Sequence, residues 1–353
     1  MTSRRRWLLF AAATIVIAAG AATAVLLAVD VYLHGRYERS AGFNVWGYRG
    51  SSVGRKKSNE YRVVMLGGSA AYGYGVASDE AIPAVLQQLL RSQTQSPVFT
   101  VVNLGYNNEG AYSFRATLDD YAWLKYDLVL LYEGYNDLSV DKANTQVFRH
   151  DSPVFRLTGY LPIFPIVFKE KAAALVGGGD PGALYRNGAK TQFHASLAAK
   201  TSATMLTATA DIAQSLEAQL GRVASEPVPH VEDGSHTGCE RWSRYCRSIE
   251  LAIETARRHR ASVIVATQPY LRTSAQTHAV HMQQQSALGV FLARRFSADG
   301  DVRYVNLGDA VDLEDARFSF DHMHLQPAGN ARVASRLVEP VLAIAAQRHQ
   351  KVS

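Results

Sequence analysis

A doubly wound α/β fold, a flavodoxin-like three-layer sandwich around a parallel sheet of about five strands, is what three features of this 353-residue sequence predict. Short runs rich in valine, isoleucine and leucine recur without polar–apolar alternation: Tyr61 to Leu66, Phe99 to Leu104, Leu128 to Tyr132, Ser262 to Thr267 and Val302 to Leu307. Runs of this kind fit strands buried on both faces of a parallel sheet. Helical patterns lie between them, at Ile82 to Arg91, Tyr112 to Lys125, Ile249 to Arg260 and Met282 to Phe296. Strand and helix alternating at that spacing indicate βαβ construction. Each run then ends in glycine or a polar loop.

The chain opens differently. No charged residue occurs from Trp7 to Val29, and Arg4, Arg5 and Arg6 stand before that run. At 1.5 Å per residue the run is long enough to cross a bilayer as a helix. The arginines place its start in the cytoplasm and everything after Asp30 outside, on the periplasmic or extracellular face. A cleavable signal peptide is the competing reading, since Ala22 and Ala24 permit a cleavage site. The length of the apolar run favours an uncleaved anchor. The expected organisation is a basic tail (1–6), a transmembrane anchor (7–29), a juxtamembrane lead-in (30–60) and one domain (61–345).

Hydrophobic residues make up 47% and charged residues 19%, which excludes a disordered chain. Three of the net +6 charges are Arg4 to Arg6, and no basic–aromatic pattern occurs elsewhere, so nucleic acid is not an expected partner.

The domain is interrupted by an insertion at about 139–246 without a clear strand. It holds a proline-bearing apolar stretch from Val154 to Phe168, the run Gly177-Gly178-Gly179, and an alanine-rich helical pattern from Ala195 to Gly221. A structureless loop of that length is uncommon, so a helical insertion is expected, as a lid or as a packing appendage. The apolar segment Leu161 to Phe168 also suits a surface that rests on the membrane. The two cysteines, Cys239 and Cys246, suggest a disulfide in an oxidising compartment. Free thiols, or a zinc site completed by His230 and His236, are the other readings.

In parallel α/β sheets reactive groups gather at the carboxyl ends of strands. Here that edge collects Ser69, then Asn103-Leu104-Gly105, then Gly134-Tyr135-Asn136-Asp137, and finally Asp321 and His324. Three phosphate or nucleophile motifs fail at the first cluster. A P-loop needs Lys and Ser/Thr where Tyr74 and Gly75 stand. A dinucleotide fingerprint is broken by Ser69, and Ala71 replaces the second glycine of the G-x-S-x-G elbow. Taken singly, Ser69 reads as a helix cap, Asn136 and Asp137 as turn formers, and His322 as a second candidate base.

Taken together, the clusters resemble the SGNH, or GDSL-type, superfamily of serine esterases and lipases. Gly67-Gly68-Ser69 is similar to its first block, with Gly68 where an aspartate is usual. Gly105 falls where the second block has its glycine, Gly134-x-Asn136-Asp137 matches the third, and Asp321-x-x-His324 the last. Asn44 to Gly50 also looks like the lead-in of anchored members, so the likeness covers 44–138 and 250–340 and leaves the insertion unmatched. The resemblance implies Ser69 as nucleophile, His324 as general base and Asp321 as its orienter. It implies an oxyanion hole of the Ser69 and Gly105 N–H groups with the Asn136 side chain, no cofactor and no metal. Asp137 is expected to brace its loop rather than react.

The expected activity is hydrolysis of acyl esters, including O-acetyl groups, on a glycan or lipid substrate. Two alternatives keep the same fold: an O-acyltransferase acting on envelope or secreted glycans, and a non-catalytic carbohydrate-binding protein.

Overall fold

The computed structural model describes residues 3–37, 43–139, 147–165, 167–168 and 239–352. The helical pattern at Ala195 to Gly221, the glycines at 177–179 and the histidines His230 and His236 lie outside the described residues. The chain divides into two compact units, one of residues 1–37 and 161–219 and one of 38–160 and 220–353.

In the first unit, α1 runs from Ser3 to Tyr37. Its stretch from Arg4 to Arg36 is long and apolar enough to cross a membrane, with a mean hydropathy of 2.3 in its most apolar window. Near its end Asp30 accepts hydrogen bonds from the N–H groups of Ile163 (2.8 Å) and Phe164 (2.6 Å). One turn on, His34 donates to the carbonyl of Leu161 at 2.9 Å. The apolar segment beginning at Leu161 is therefore tied to this helix by its backbone.

The second unit is built on five parallel strands: β1 (Glu60–Leu66), β2 (Val98–Asn103), β3 (Leu128–Tyr132), β4 (Ser262–Ala266) and β5 (Val302–Val305). They are ordered β2-β1-β3-β4-β5. The chain leaves β1 to one side for β2 and returns across it to β3, with Val63 facing both Val101 and Leu128 in register. That reversal opens a crevice at the carboxyl ends of β1 and β3, where ligands bind in open α/β sheets.

The helices follow their apolar periodicity. On α3 (Ile82–Gln93), Ile82, Leu86 and Leu90 recur every four residues. On α8 (Pro327–Val352), Val333, Leu337, Val341 and Ile344 do nearly the same. These two stripes share one buried cluster with Tyr61, Val63, Met65, Leu128 and Leu130, alternate residues on one face of the sheet. α4 (Phe114–Asp120) packs with α6 (Ser243–Arg258), which also meets β3 and β4. The remaining described helices are α2 (Ser69–Tyr72), α5 (Pro153–Thr158) and α7 (Ala275–Phe296).

Boundaries depart from the sequence reading by more than two residues or by a break in three places. The helix expected from Tyr112 to Lys125 is broken into α4 and two flanking 3-10 turns, Ala111–Ser113 and Ala122–Leu124. The break falls at buried Tyr121, whose hydroxyl donates to the Trp46 carbonyl at 2.7 Å, a long-range contact that helical periodicity does not encode. α6 starts before Ile249, at Ser243. α7 starts before Met282, at Ala275, because the Ser274 hydroxyl caps it by accepting the Thr277 N–H at 3.0 Å.

Cys239 and Cys246 form a disulfide across a separation of seven residues, joining the segment before α6 to its first turn. In the chain-entropy view a loop this short contributes about 2 kcal/mol. A Cys239→Ser/Cys246→Ser variant is expected to unfold at lower denaturant with an m-value equal to or slightly above that of the native chain, as followed by circular dichroism.

Candidate active site

The loop that carries Ser69 grows out of β1. Gly67 and Gly68 follow Leu66, and Ser69 opens α2, so its own N–H lies in the first turn of a helix, where no intrahelical acceptor exists. The loop after α2 is fixed from outside by the lead-in. The guanidinium of Arg49 is buried, donates to the carbonyls of Tyr72 (2.6 Å), Gly73 (2.5 Å) and Val76, and lies 4.4 Å from the centroid of the Tyr72 ring.

Ser69 meets the other end of the chain here. Its Oγ is 2.8 Å from Nε2 of His324, and Nδ1 of that ring is 2.6 Å from Oδ2 of Asp321. With a proton on Nδ1 shared with the carboxylate, Nε2 is the acceptor for the serine hydroxyl. Asp321 Oδ1 accepts the N–H groups of Met323 (3.1 Å) and His324 (2.7 Å), closing the loop on itself. Burial alone would raise the Asp321 carboxyl. Its bonds to the His324 ring and to these main-chain donors outweigh burial and hold its pKa below the usual carboxylate value. His322 is exposed, has a positive φ of 64°, and sets Nδ1 3.2 Å from the Leu313 carbonyl. Of these two histidines, His324 is the one that meets Ser69. The rings of Tyr74 (4.7 Å) and Phe320 (5.8 Å) stand beside its imidazole.

The Asn136 side chain is brought to the same place. Its Nδ2 donates to the Glu109 carbonyl at 2.8 Å, which fixes the amide with its nitrogen toward the Ser69 loop and leaves a second hydrogen to donate. A Cβ on Gly68 would come within 2.1 Å of that nitrogen, so the loops approach as closely as only glycine allows. Asp137 accepts the Ala111 N–H at 2.8 Å and does not join the serine. Gly105 lies where expected, against α2, and a Cβ there would meet the Tyr72 nitrogen at 2.6 Å. Its N–H, however, donates to Oδ1 of Asn103 at 3.0 Å. Serving an oxyanion would require the Asn103 side chain to release it.

Several contributors were invisible to motif reading. Glu133 directly follows β3, is 2% exposed, and accepts N–H groups from Gly68, Gly134 (2.9 Å) and Asn136 (3.2 Å). The signal that marks it is a charged residue at the end of a wholly apolar strand. From the other side, Gln268 accepts the Tyr135 N–H at 2.8 Å and Gln284 donates to the Gly134 carbonyl at 3.1 Å. Buried His281 stays neutral there: burial lowers its pKa to about 4, and its Nδ1 accepts the Leu271 N–H at 3.1 Å. Arg149, from the start of the insertion, donates to the carbonyls of Leu104 (2.8 Å) and Gly47 (3.3 Å). Among the described residues no group of three metal-ligating side chains occurs.

The fold and the site together define a class: a doubly wound α/β protein with a Ser–His–Asp chain of hydrogen bonds at the carboxyl edge of its sheet. Neither a family model nor a curated protein matches the chain. Several solved structures are similar to it. One is a protein assigned to the G-D-S-L lipolytic family from Desulfitobacterium hafniense, with 12% identity over 79% of this chain and 98% of that one, at a TM-score of 0.41. A family 3 carbohydrate esterase from Clostridium thermocellum has 12% identity over 82% and 98%, at 0.41. Axe2, an acetylxylan esterase from Geobacillus stearothermophilus, has 12% identity over 79% and 93%, at 0.42. Identities and scores at this level leave the chemistry to be decided by this chain's own side chains.

Proposed function

We propose that this chain is a serine esterase of the SGNH/GDSL type, held in a membrane by α1 with its catalytic body outside the cytoplasm. The observation that carries the reading is the unbroken series from Asp321 through His324 to Ser69, at 2.6 and 2.8 Å. A serine hydroxyl is a poor nucleophile until an oriented imidazole can take its proton. Here the imidazole is both oriented and in reach.

The steps follow from those positions. Ser69 Oγ attacks the ester carbonyl as its proton passes to Nε2 of His324, and Asp321 stabilises the imidazolium that forms. Negative charge develops on the substrate oxygen, facing the Ser69 N–H and the Asn136 amide, with the Gly105 N–H added if Asn103 turns away. His324 then protonates the leaving alcohol, and a water activated by the same imidazole hydrolyses the acyl-enzyme. The N-terminal helix and the disulfide favour an exported body. There, small acyl esters such as O-acetyl groups on glycans are the substrate class that fits the location.

The test uses the full chain in detergent. Incubation with a fluorophosphonate probe is expected to label Ser69, and acetyl and butyryl esters should release free acid. No label on Ser69 together with no acid released overturns the reading. Transfer of the acyl group to an added glycan, with little free acid, would instead make the protein an O-acyltransferase working through the same residues.

A further inference from the structure

We propose that Glu133 is a positioning residue whose carboxylate sets the spacing between the two halves of the oxyanion site. The inference rests on the esterase reading and adds a residue that no motif assigns. Glu133 is buried and forms no ion pair with any Lys, Arg or His among the described residues. A buried carboxylate without a cationic partner is costly, and it is kept only where hydrogen bonds hold it and something depends on it. Here the bonds go to two loops that must stay in register. Oε2 accepts the N–H of Gly68, the residue before Ser69, while Oε1 accepts the N–H groups of Gly134 (2.9 Å) and Asn136 (3.2 Å).

One side chain thus grips both residues next to the proposed oxyanion donors. Fixing Gly68 fixes the peptide that carries the Ser69 N–H. Fixing the main chain of Asn136 fixes the base of the side chain that supplies the second donor. Glu133 is itself anchored, because the Tyr245 hydroxyl donates to its carbonyl at 2.9 Å. The same carboxylate accounts for the residue before the nucleophile: a Cβ on Gly68 would lie 2.8 Å from Oε2 and 2.1 Å from the Asn136 nitrogen. No side chain fits at position 68 while Glu133 and Asn136 hold their places. Burial, with the Asp137 carboxylate adding to it, pushes the Glu133 pKa up, and the three N–H donors oppose that rise.

A glutamine at this position keeps the shape but presents N–H groups toward at least one main-chain donor, so one loop loses its acceptor. Glu133→Gln is expected to lower kcat on p-nitrophenyl acetate by about 30- to 100-fold with KM changed less than about threefold, because donors out of place act on the transition state. The deciding measurement is a double-mutant cycle with Asn136→Ala, itself expected to cost about 100- to 1,000-fold. In the Asn136→Ala background the penalty of Glu133→Gln should fall to about 3- to 10-fold, since one of the two donors it positions is gone and only the Ser69 N–H is left to misplace. The proposal is overturned if Glu133→Gln keeps kcat within about twofold of the native chain. It is equally overturned if its penalty is undiminished in the Asn136→Ala background, as a merely structural role would give. Should Glu133→Gln fail to fold, Glu133→Asp, which keeps the carboxyl group but draws it back by one methylene, enters the same cycle with the same outcomes. A native chain that neither hydrolyses esters nor labels at Ser69 would sink the esterase reading first, and this inference with it.

Discussion

Ser69→Ala is expected to lower kcat for ester hydrolysis by about four to six orders of magnitude while leaving the thermal unfolding midpoint close to that of the native chain. The size follows from what the hydroxyl does: without it no acyl-enzyme forms, and only the background supported by the oxyanion donors and by binding remains. Stability should barely change, because Ser69 is partly exposed in the first turn of α2 and its side chain does not cap that helix. Steady-state kinetics and a melting curve on the same preparation check both halves. His322→Ala is the matched control and should keep full activity, since that ring points to the Leu313 carbonyl. A loss of tenfold or more in His322→Ala would mean that the wrong histidine has been assigned as base.

Asp321→Asn is expected to cost about 10,000-fold in kcat with little effect on KM. An amide can replace Oδ1 as acceptor for the N–H groups of Met323 and His324, so the loop should keep its shape. It cannot serve as the carboxylate that receives the Nδ1 proton. The ring then turns to the other tautomer, with its hydrogen on Nε2, where it can no longer accept from Ser69. The same substitution has a stability signature. The folded-state pKa of Asp321 lies below its ordinary value, so its ionised form stabilises the fold at all pH above the unfolded value of about 4. That contribution is lost as pH falls through the folded value. The difference in melting temperature between native and Asp321→Asn protein should therefore shrink on acidification below about pH 4, and a difference constant down to pH 2 would count against the pairing.

Much of the fold was legible because its determinants are local. Strands buried on both faces are mostly apolar, so β1, β3 and β4 appear in the sequence within one residue of their observed ends, although β1 also buries Arg62. α3 likewise follows from the spacing of Ile82, Leu86 and Leu90. The reading failed where a distant contact overrode periodicity, as at Tyr121, or where a cap rather than an apolar stripe set the boundary, as at Ser274. Of the site, the motif residues could be named because their types are demanding. Glu133 and Gln268 could not, since each acts through main-chain hydrogen bonds that any polar residue type offers in many chains, and Asn103, though placed at this edge, gave no sign that it would hold the Gly105 N–H.

The sequence by itself determined the parallel α/β architecture, the membrane-length apolar helix and the residue types able to activate a serine, because burial patterns and reactive side chains are properties of short stretches. Tertiary structure decided the rest. It selected His324 over His322, two residues apart, by reversing the backbone at a positive φ between Asp321 and Met323. It committed the Gly105 N–H to Asn103, paired the two cysteines, and brought the carboxylate of Glu133 to a loop 65 residues earlier in the chain. A hydrogen bond depends on distance and angle in space. Ser69 and His324, 255 residues apart, acquire those only once β1 and the loop before α8 are fixed at the same edge of the sheet.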